Sequence, residues 1–559
     1  MAVFIKFNHL VRKLLIPFSA RFPLPQEIRN GKIRVRESGL GEMALEIRTK
    51  IAASEFLSIE ATPSIQLLPY LDSNDVKYFY RQRLMVILLC GEGILNALAL
   101  AKYLEKELWY PLPKSWRQEF TKSGVSISYS MCTIMWYVFC AIFTVSSIFK
   151  AFKVMKNSRL HRGPVKLPLD IEQRTRIYLP DISILQLPHD QETSTERNFS
   201  NWPKKYQFAD KKIHIYHNFP KFPSFVDSES DITISYLGTG SESASIYSSP
   251  TIFLRKVLSF AEIVIRNPLL FNTLFSNVFA IFEFLEFDLT CSDLFPEKVI
   301  FTNSSGILKP LWARGLEKSG VEVVICFYAI ATNPVQESIN QKSLGYWALS
   351  TWKNFWVTDA YQLNFFSSLV IQKDAQFMEV GIPHWSDSET KIITSNKCCI
   401  SVFDDFIPVN YSDLTSLQFE ELYELERIRD FLTSVVEIAS KLDSIVLHKE
   451  KFRFRNRRSF AYRQLIEDLQ SKFPDNYLSV DPKIAPSRLI EMSYATVSMP
   501  VSTTGVISLN SSIPSVYYGP HFNIVSGETG LRGIPMIHSK NQLESWLFSV
   551  HLEHIGRAK

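Results

Sequence analysis

Lys298–Ala329 constrains the fold more tightly than any other stretch of this chain. KVIFTNSS is an apolar run ending in polar residues, GILKPLWARGLEKSG has helical periodicity and stops at Gly320, and VEVVICFYA is a second apolar run. Strand, helix, strand is a βαβ unit, because two parallel strands need a long crossover, and that crossover is almost always right-handed. Ligands of such sheets sit beyond the carboxyl ends of the strands. Thr302, Asn303, Ser304 and Ser305 therefore line a candidate ligand edge. The same hydroxyls suit the cap of the following helix, and the residues alone leave both readings open.

A second alternation starts after the turn Val380-Gly381-Ile382-Pro383-His384. CCISVFDDFIPVN is a strand with a carboxylate-rich end, Leu417–Ser440 an amphipathic helix, and DSIVLHKEKFRFR a strand; SRLIEMSYATVSMPVSTTGVISLN and PSVYYG continue as helix, strand, Ser/Thr-rich turn, helix and strand. The fold class expected is α/β: two Rossmann-like domains facing each other across a cleft, preceded by a helical N-terminal region. The boundaries fall at 1–165 for the helical region, 166–384 for the first Rossmann-like domain and 385–559 for the second. A length of 559 residues, 46% hydrophobic and 13% aromatic, accommodates cores of that number and size. The net charge of +5, from 61 basic and 56 acidic residues, is too small and too dispersed to indicate nucleic acid. The cysteines show no C-x-x-C spacing and no D-x-D motif is present, so neither a zinc site nor a metal-binding carboxylate pair is expected.

Ser123–Phe149 carries no formal charge and has about the length a membrane-spanning helix requires. Lys150, Lys153, Lys156, Arg159 and Arg162 follow it, a basic cluster expected on the cytoplasmic side. Three readings stay open: a single span, a helix lying on the membrane surface, and a buried core helix. The N-terminal residues mix Lys6, Arg12 and Lys13 into their apolar stretch, which leaves no signal-peptide core. The expected location is cytoplasmic, peripheral to the inner face of the cytoplasmic membrane.

Two segments carry candidate chemistry. In Met499-Pro500-Val501-Ser502-Thr503-Thr504-Gly505 a strand turns into a helix, whose first N–H groups and dipole favour an anion. Ser502, Thr503, Thr504 and Gly505 form a candidate phosphate cradle; helix capping by the hydroxyls is the alternative. The sequence matches neither a Walker loop nor a dinucleotide fingerprint. In the second segment the cations Lys449, Lys451, Arg453, Arg455 and Arg457 recur with the period of a strand and share one face. They suit a phosphate, or else a solvated strand protected from edge aggregation. Asp404 and Asp405 end the first strand of the second domain, at the cleft or as caps of the next helix.

YPLPKSWRQEFTKSG (110–124), KIHIYHN (212–218), KVIFTNSSGILKPLWARGLEKSGVEVVICFYA (298–329), KNFWVTDAYQ (353–362), EVGIPHWSD (379–387), ISVFDDFIP (400–408) and PSRLIEMSYATVSMPVSTTGVISLNSSIPSVYYGP (486–520) resemble the bacterial polysaccharide-biosynthesis proteins named for a PFTS motif. Here that motif reads Pro500-Val501-Ser502-Thr503: Val replaces Phe, and the two hydroxyl residues are exchanged. The resemblance implies a glycosyltransferase of the two-Rossmann-domain (GT-B) type, acting in O-antigen or capsule synthesis. The first Rossmann-like domain would then hold a glycan or lipid-linked acceptor, and the second a nucleotide-sugar donor. Similarity to sialyltransferase-like and 3-deoxy-octulosonate transferases implies that His448, Lys449 and Lys451 join the hydroxyls on the donor phosphate, and favours a CMP-sugar over UDP- or GDP-sugars. No cofactor and no metal are implied. The general base would come from the opposite domain, with His217, Asp359 and Glu42 as candidates. A catalytically inactive, membrane-associated scaffold of an envelope-glycan assembly complex is the competing reading.

Overall fold

The computed structural model describes residues 107–139, 175–180, 212–217, 225–227, 232–236, 296–302, 309–327, 350–369, 374–381, 397–404, 425–450, 460–481, 484–500, 502–520 and 529–558, with single positions such as 47, 51, 88 and 330. In the first of these stretches, helix α1 (Lys114–Lys122) follows Pro113 and ends at Gly124, whose φ of 81° suits a residue without Cβ. Residues 129–139 are also helical. The two helices are tied by Arg117, which is buried and donates from Nε to Leu112 O at 3.0 Å and from Nη1 to Tyr129 O at 3.3 Å. The helical N-terminal texture is thus present over these residues. Among the described residues no helix is long and apolar enough to cross a membrane; 140 and 142–149 of the candidate segment lie outside them.

The first sheet has eight strands: β1 (Thr175–Leu179), β2 (Ile213–His217), β3 (Phe225–Asp227), β4 (Ile232–Tyr236), β5 (Lys298–Thr302), β6 (Glu322–Cys326), β7 (Asn354–Val357) and β8 (Gln376–Glu379). Their order is β3-β4-β2-β1-β5-β6-β7-β8, and every pairing is parallel except β3 with β4. The βαβ unit is β5, α2 (Leu311–Lys318) and β6. Gly320, at φ 92°, ends α2, and the N–H of Val321 returns to Leu316 O at 3.0 Å. Strand β5 is buried at all five positions, as a strand covered on both faces must be. Helix α3 (Ala360–Leu369) links β7 to β8.

The second sheet contains β9 (Cys399–Phe403), β10 (Ile445–Lys449), β11 (Tyr477–Val480), β12 (Ala495–Ser498), β13 (Ser515–Tyr518) and β14 (Met536–Ile537) in the order β11-β10-β9-β12-β13-β14, all parallel. This is the doubly wound Rossmann order, with its switch point between β9 and β12. Helices α4 (Leu425–Lys441), α5 (Phe460–Lys472), α6 (Pro486–Glu491), α7 (Thr503–Asn510) and α8 (Lys540–Ala558) complete the unit. Ile400 and Val402 of β9 face one apolar core with α4, α5 and α8; Cys399 and Phe403 face another with Leu489 and Ile490 of α6 and Ile507 of α7. Period-two alternation in a wholly buried strand thereby feeds two cores. Between them a buried hydroxyl chain pins α7 to the sheet: Ser508 Oγ donates to Thr496 Oγ1 at 2.8 Å, and Thr496 Oγ1 lies 2.8 Å from Ser401 Oγ. The α/β architecture of two Rossmann-like sheets agrees with the expectation.

Candidate functional site

The carboxyl edge of the second sheet is built around the switch point. Strand β12 delivers Ser498 to the turn that starts α7, and Ser502 caps that helix: its Oγ accepts the Thr504 N–H at 3.3 Å and also meets Thr504 Oγ1. Thr504 Oγ1 reaches Ser498 Oγ at 3.1 Å. The capping contact foreseen from the sequence is therefore present, and the hydroxyls stand at the positive end of a helix dipole. Gly505 has a packing role as well. A Cβ there would lie 2.8 Å from Tyr517 Cε1, so the ring of Tyr517 occupies the space any side chain would need. Tyr517 Oη donates to Ser502 O at 2.8 Å, which holds the turn from behind. Burial pushes that phenol's pKa up, with Arg532 acting in the opposite direction.

The neighbouring strand ends carry a buried polar network. His448 is fully buried; its Nδ1 lies 2.7 Å from Tyr477 Oη and its Nε2 3.3 Å from Asp404 Oδ2, while Tyr462 Oη donates to the same carboxylate oxygen. Burial, and secondarily Asp404, raise the Tyr477 pKa, so the phenol keeps its proton beside His448 Nδ1. Glu450 also faces β11, where Ser479 Oγ donates to its Oε1 at 2.9 Å. Lys449, between the two, is buried with its side chain on the opposite face of β10 by strand alternation. His448 and Lys449 thus leave the sheet in opposite directions.

The carboxyl edge of the first sheet meets this edge. The Ile330 N–H donates to Thr503 Oγ1 at 3.4 Å, and Ile330 itself is buried in the apolar core of the second unit. Asp359, at the end of β7, receives Arg532 Nη2 on Oδ1 at 3.3 Å and Arg532 Nε on Oδ2. Its Oδ1 also accepts the Gln362 N–H at 2.8 Å, capping α3. Of the other candidates, His217 closes β2, with only its backbone described. Glu42, Ser304, Ser305, Asp405 and Lys451 lie outside the described residues. Among the described residues no group of three or more His, Cys, Asp or Glu side chains is placed to hold a metal ion. A groove of about 590 Å³ between α5 and β11, lined by Glu450, Arg463, Gln470 and Ser479 among others, shares no residue with the Ser502–Gly505 turn.

Arg532, Tyr517, Tyr477 and Tyr462 are the residues of this edge that the sequence reading did not single out. The only local signal for Arg532 is its setting in GETGLRGIP, a glycine-rich turn between strands.

The sequence of residues 274–547 matches the family model described as polysaccharide biosynthesis PFTS motif protein. Residues 274–547 belong to this family. The PFTS-motif region runs from ahead of β5 into α8 and so contains both edges that meet at Ile330 and Thr503. The quoted segments at 110–124 and 212–218 fall outside it. No curated protein sequence matches the chain. Among solved structures the chain is similar to the wall teichoic acid polymerase TagF, at 11% identity over 75% of this chain and 89% of that one, with a TM-score of 0.37. It is also similar to the lipopolysaccharide outer core galactosyltransferase WaaB, at 10% identity over 68% and 91%, with a TM-score of 0.32. A third is Os79 from O. sativa in complex with UDP, at 8% identity over 61% and 80%, with a TM-score of 0.33.

Proposed function

We propose that this protein is a nucleotide-sugar-dependent glycosyltransferase of surface-polysaccharide biosynthesis. One observation carries the reading: the carboxyl edges of two parallel sheets meet at Ile330–Thr503 and Asp359–Arg532, so the switch point of the second sheet and the start of α7 open toward the first unit. A crevice at a switch point is where doubly wound sheets take nucleotides. The family description of residues 274–547 supports polysaccharide synthesis as the setting. In this proposal the donor phosphate sits at Ser502, Thr503, Thr504 and Gly505, with Lys449 and Lys451 adding charge and the buried His448–Asp404 pair fixing the strand ends beneath. Charge growing on the departing phosphate is met by N–H groups, hydroxyls and cations, which is electrostatic catalysis that does not require a metal. A CMP-sugar is the favoured donor, and a glycan or lipid-linked glycan on the side of the first unit is the acceptor.

The test is thermal unfolding of the full chain with CMP-, UDP- and GDP-sugars, with and without EDTA. A donor at about 100 times its Kd adds about 2.7 kcal/mol to native stability. One donor should raise the Tm, EDTA should leave that rise intact, and Ser502→Ala should reduce it. A folded sample that responds to no donor favours the inactive-scaffold reading instead.

A membrane-surface location is part of the same proposal, supported by the exposed face of residues 129–139. Tyr129, Ile134, Tyr137 and Val138 are 48–55% exposed there, with no charged residue in the helix. An uncharged, aromatic-bearing exposed face followed in sequence by Lys150, Lys153 and Lys156 fits the interface of an anionic bilayer. Co-sedimentation with phosphatidylglycerol vesicles should fall about tenfold for Ile134→Glu/Val138→Glu, one decade per 1.4 kcal/mol of lost apolar insertion. Equal sedimentation of both proteins would remove this location.

A further inference from the structure

Arg532 is held by parts of both units. It follows the 3-10 turn Thr529–Leu531 and adopts a φ of 56°, a left-handed backbone that a non-glycine residue adopts at a cost. Its Nη1 donates to Gly530 O at 2.9 Å, and its guanidinium lies 5.2 Å from the centre of the Tyr361 ring. Its Nε and Nη2 each donate to one oxygen of Asp359. Arg532 is 10% exposed at its side chain and Asp359 26%. The guanidinium belongs to the second unit, whereas the carboxylate and the ring belong to the first.

Arg532 and the turn proposed for the donor phosphate meet neighbouring strand ends of the first sheet: Arg532 bonds Asp359 just past β7, Thr503 accepts from Ile330 just past β6, and the Phe327 N–H donates to Trp356 O at 2.8 Å between them. The charge of Arg532 also acts on Tyr517, which holds Ser502 O. The same turn reaches the first unit through Thr503 and Ile330. The planar fork of an arginine accepts a carboxylate or a phosphate with the same two parallel bonds. Asp359 does not depend on Arg532 for its position, because its Oδ1 caps α3 through Gln362. The carboxylate therefore has a place to stay when the guanidinium is taken by another anion.

We propose that Arg532 is a ligand of the donor phosphate and that the Asp359 carboxylate is its resident anion, exchanged for phosphate when the donor arrives. The inference rests on the donor reading above and goes beyond it in two respects. It assigns a specific guanidinium to the phosphate, and it makes one contact between the units mutually exclusive with donor binding. A resident competitor lowers the apparent affinity of the ligand by the fraction of molecules in which it has let go. Removing the competitor and removing the guanidinium must then act with opposite sign, which a salt bridge that only braces the fold does not do.

The experiment is calorimetric titration of the full chain with CMP, CDP, UDP and GDP, for the wild type, Asp359→Asn, Arg532→Gln and the double variant, each first shown to unfold cooperatively. Asparagine keeps the α3 cap while losing the charge. Asp359→Asn should tighten the nucleotide that binds by about threefold or more, Arg532→Gln should weaken it by about tenfold or more, and the double variant should match Arg532→Gln. Binding by Asp359→Asn where the wild type shows none also supports the exchange. Unchanged or weaker binding in Asp359→Asn, or wild-type binding in Arg532→Gln, overturns the exchange while leaving the donor reading standing. Absence of binding in both the wild type and Asp359→Asn overturns both. Should Asp359→Asn fail to fold, Asp359→Ser, which retains a capping hydroxyl, carries the same expectations and the same refutations.

Discussion

Gly505 lies under the ring of Tyr517, and the shape of the turn at Ser502 depends on that contact. A methyl group there would stand 2.8–2.9 Å from three atoms of the ring, and the ring is fixed at its far end by the bond from Tyr517 Oη to Ser502 O. Gly505→Ala should therefore cost about 1–3 kcal/mol, the usual range for overpacking a filled interior. It should also move the hydroxyl that caps α7. A urea midpoint equal to that of the wild type would show that the ring can give way. The sequence singled out Gly505 as a place where phosphate could approach the backbone; the atom that approaches it in the structure is a tyrosine ring carbon. Nothing local could show this, because Tyr517 lies on the next strand and only sheet order brings it over the helix start. His448 is a comparable case. Its basic neighbours recur with period two, but His448 is out of phase with them, and the alternation that puts Lys449 on one face of β10 puts His448 on the other, against Tyr477 and Asp404.

Elements were more legible than side-chain partners. The βαβ unit at 298–329 appears in the structure as β5, α2 and β6, with Gly320 ending the helix, because helix and strand periods are written into the order of apolar residues. The anchor of α2 was not visible in that order. Lys309, buried just ahead of the helix, donates to Glu317 Oε1 at 2.6 Å and to Thr351 O at 3.2 Å, and lies over the Trp352 ring. Burial lowers its pKa to about 8, with Glu317 opposing. Between that value and the ordinary 10.5 the unfolded chain binds more protons than the folded one, so the desolvation penalty is fully present below pH 8 and is relieved as pH rises toward 10.5. Wild-type stability should thus gain on that of Lys309→Met across this window. Urea midpoints of the two proteins at pH 7.5 and 10 test the sign, and a difference that moves the other way would show that Lys309 is not the group that titrates.

The two parallel sheets make one molecule through a few residues that no periodicity announces. Ile330 follows β6 of the first unit, yet it is fully buried among the apolar residues of the second, and its own N–H reaches Thr503. Its sequence context, a hydrophobic residue just past a strand, is ordinary, and its role comes only from which edges meet. This placement couples the stability of the second core to the position of the first sheet. Truncating a fully buried isoleucine typically costs about 2–5 kcal/mol, and here the loss falls on the junction rather than within either sheet. Ile330→Ala should therefore lower the unfolding temperature of the second unit and separate its transition from that of the first, whereas the wild-type chain should melt with the two coupled. Differential scanning calorimetry reads both effects, and the same variant should weaken any nucleotide that binds at Ser502–Gly505, because the backbone N–H that meets Thr503 Oγ1 is no longer anchored by a side chain buried in the second core. A single transition at the wild-type temperature would mean that the Asp359–Arg532 pair joins the units without help from this side chain.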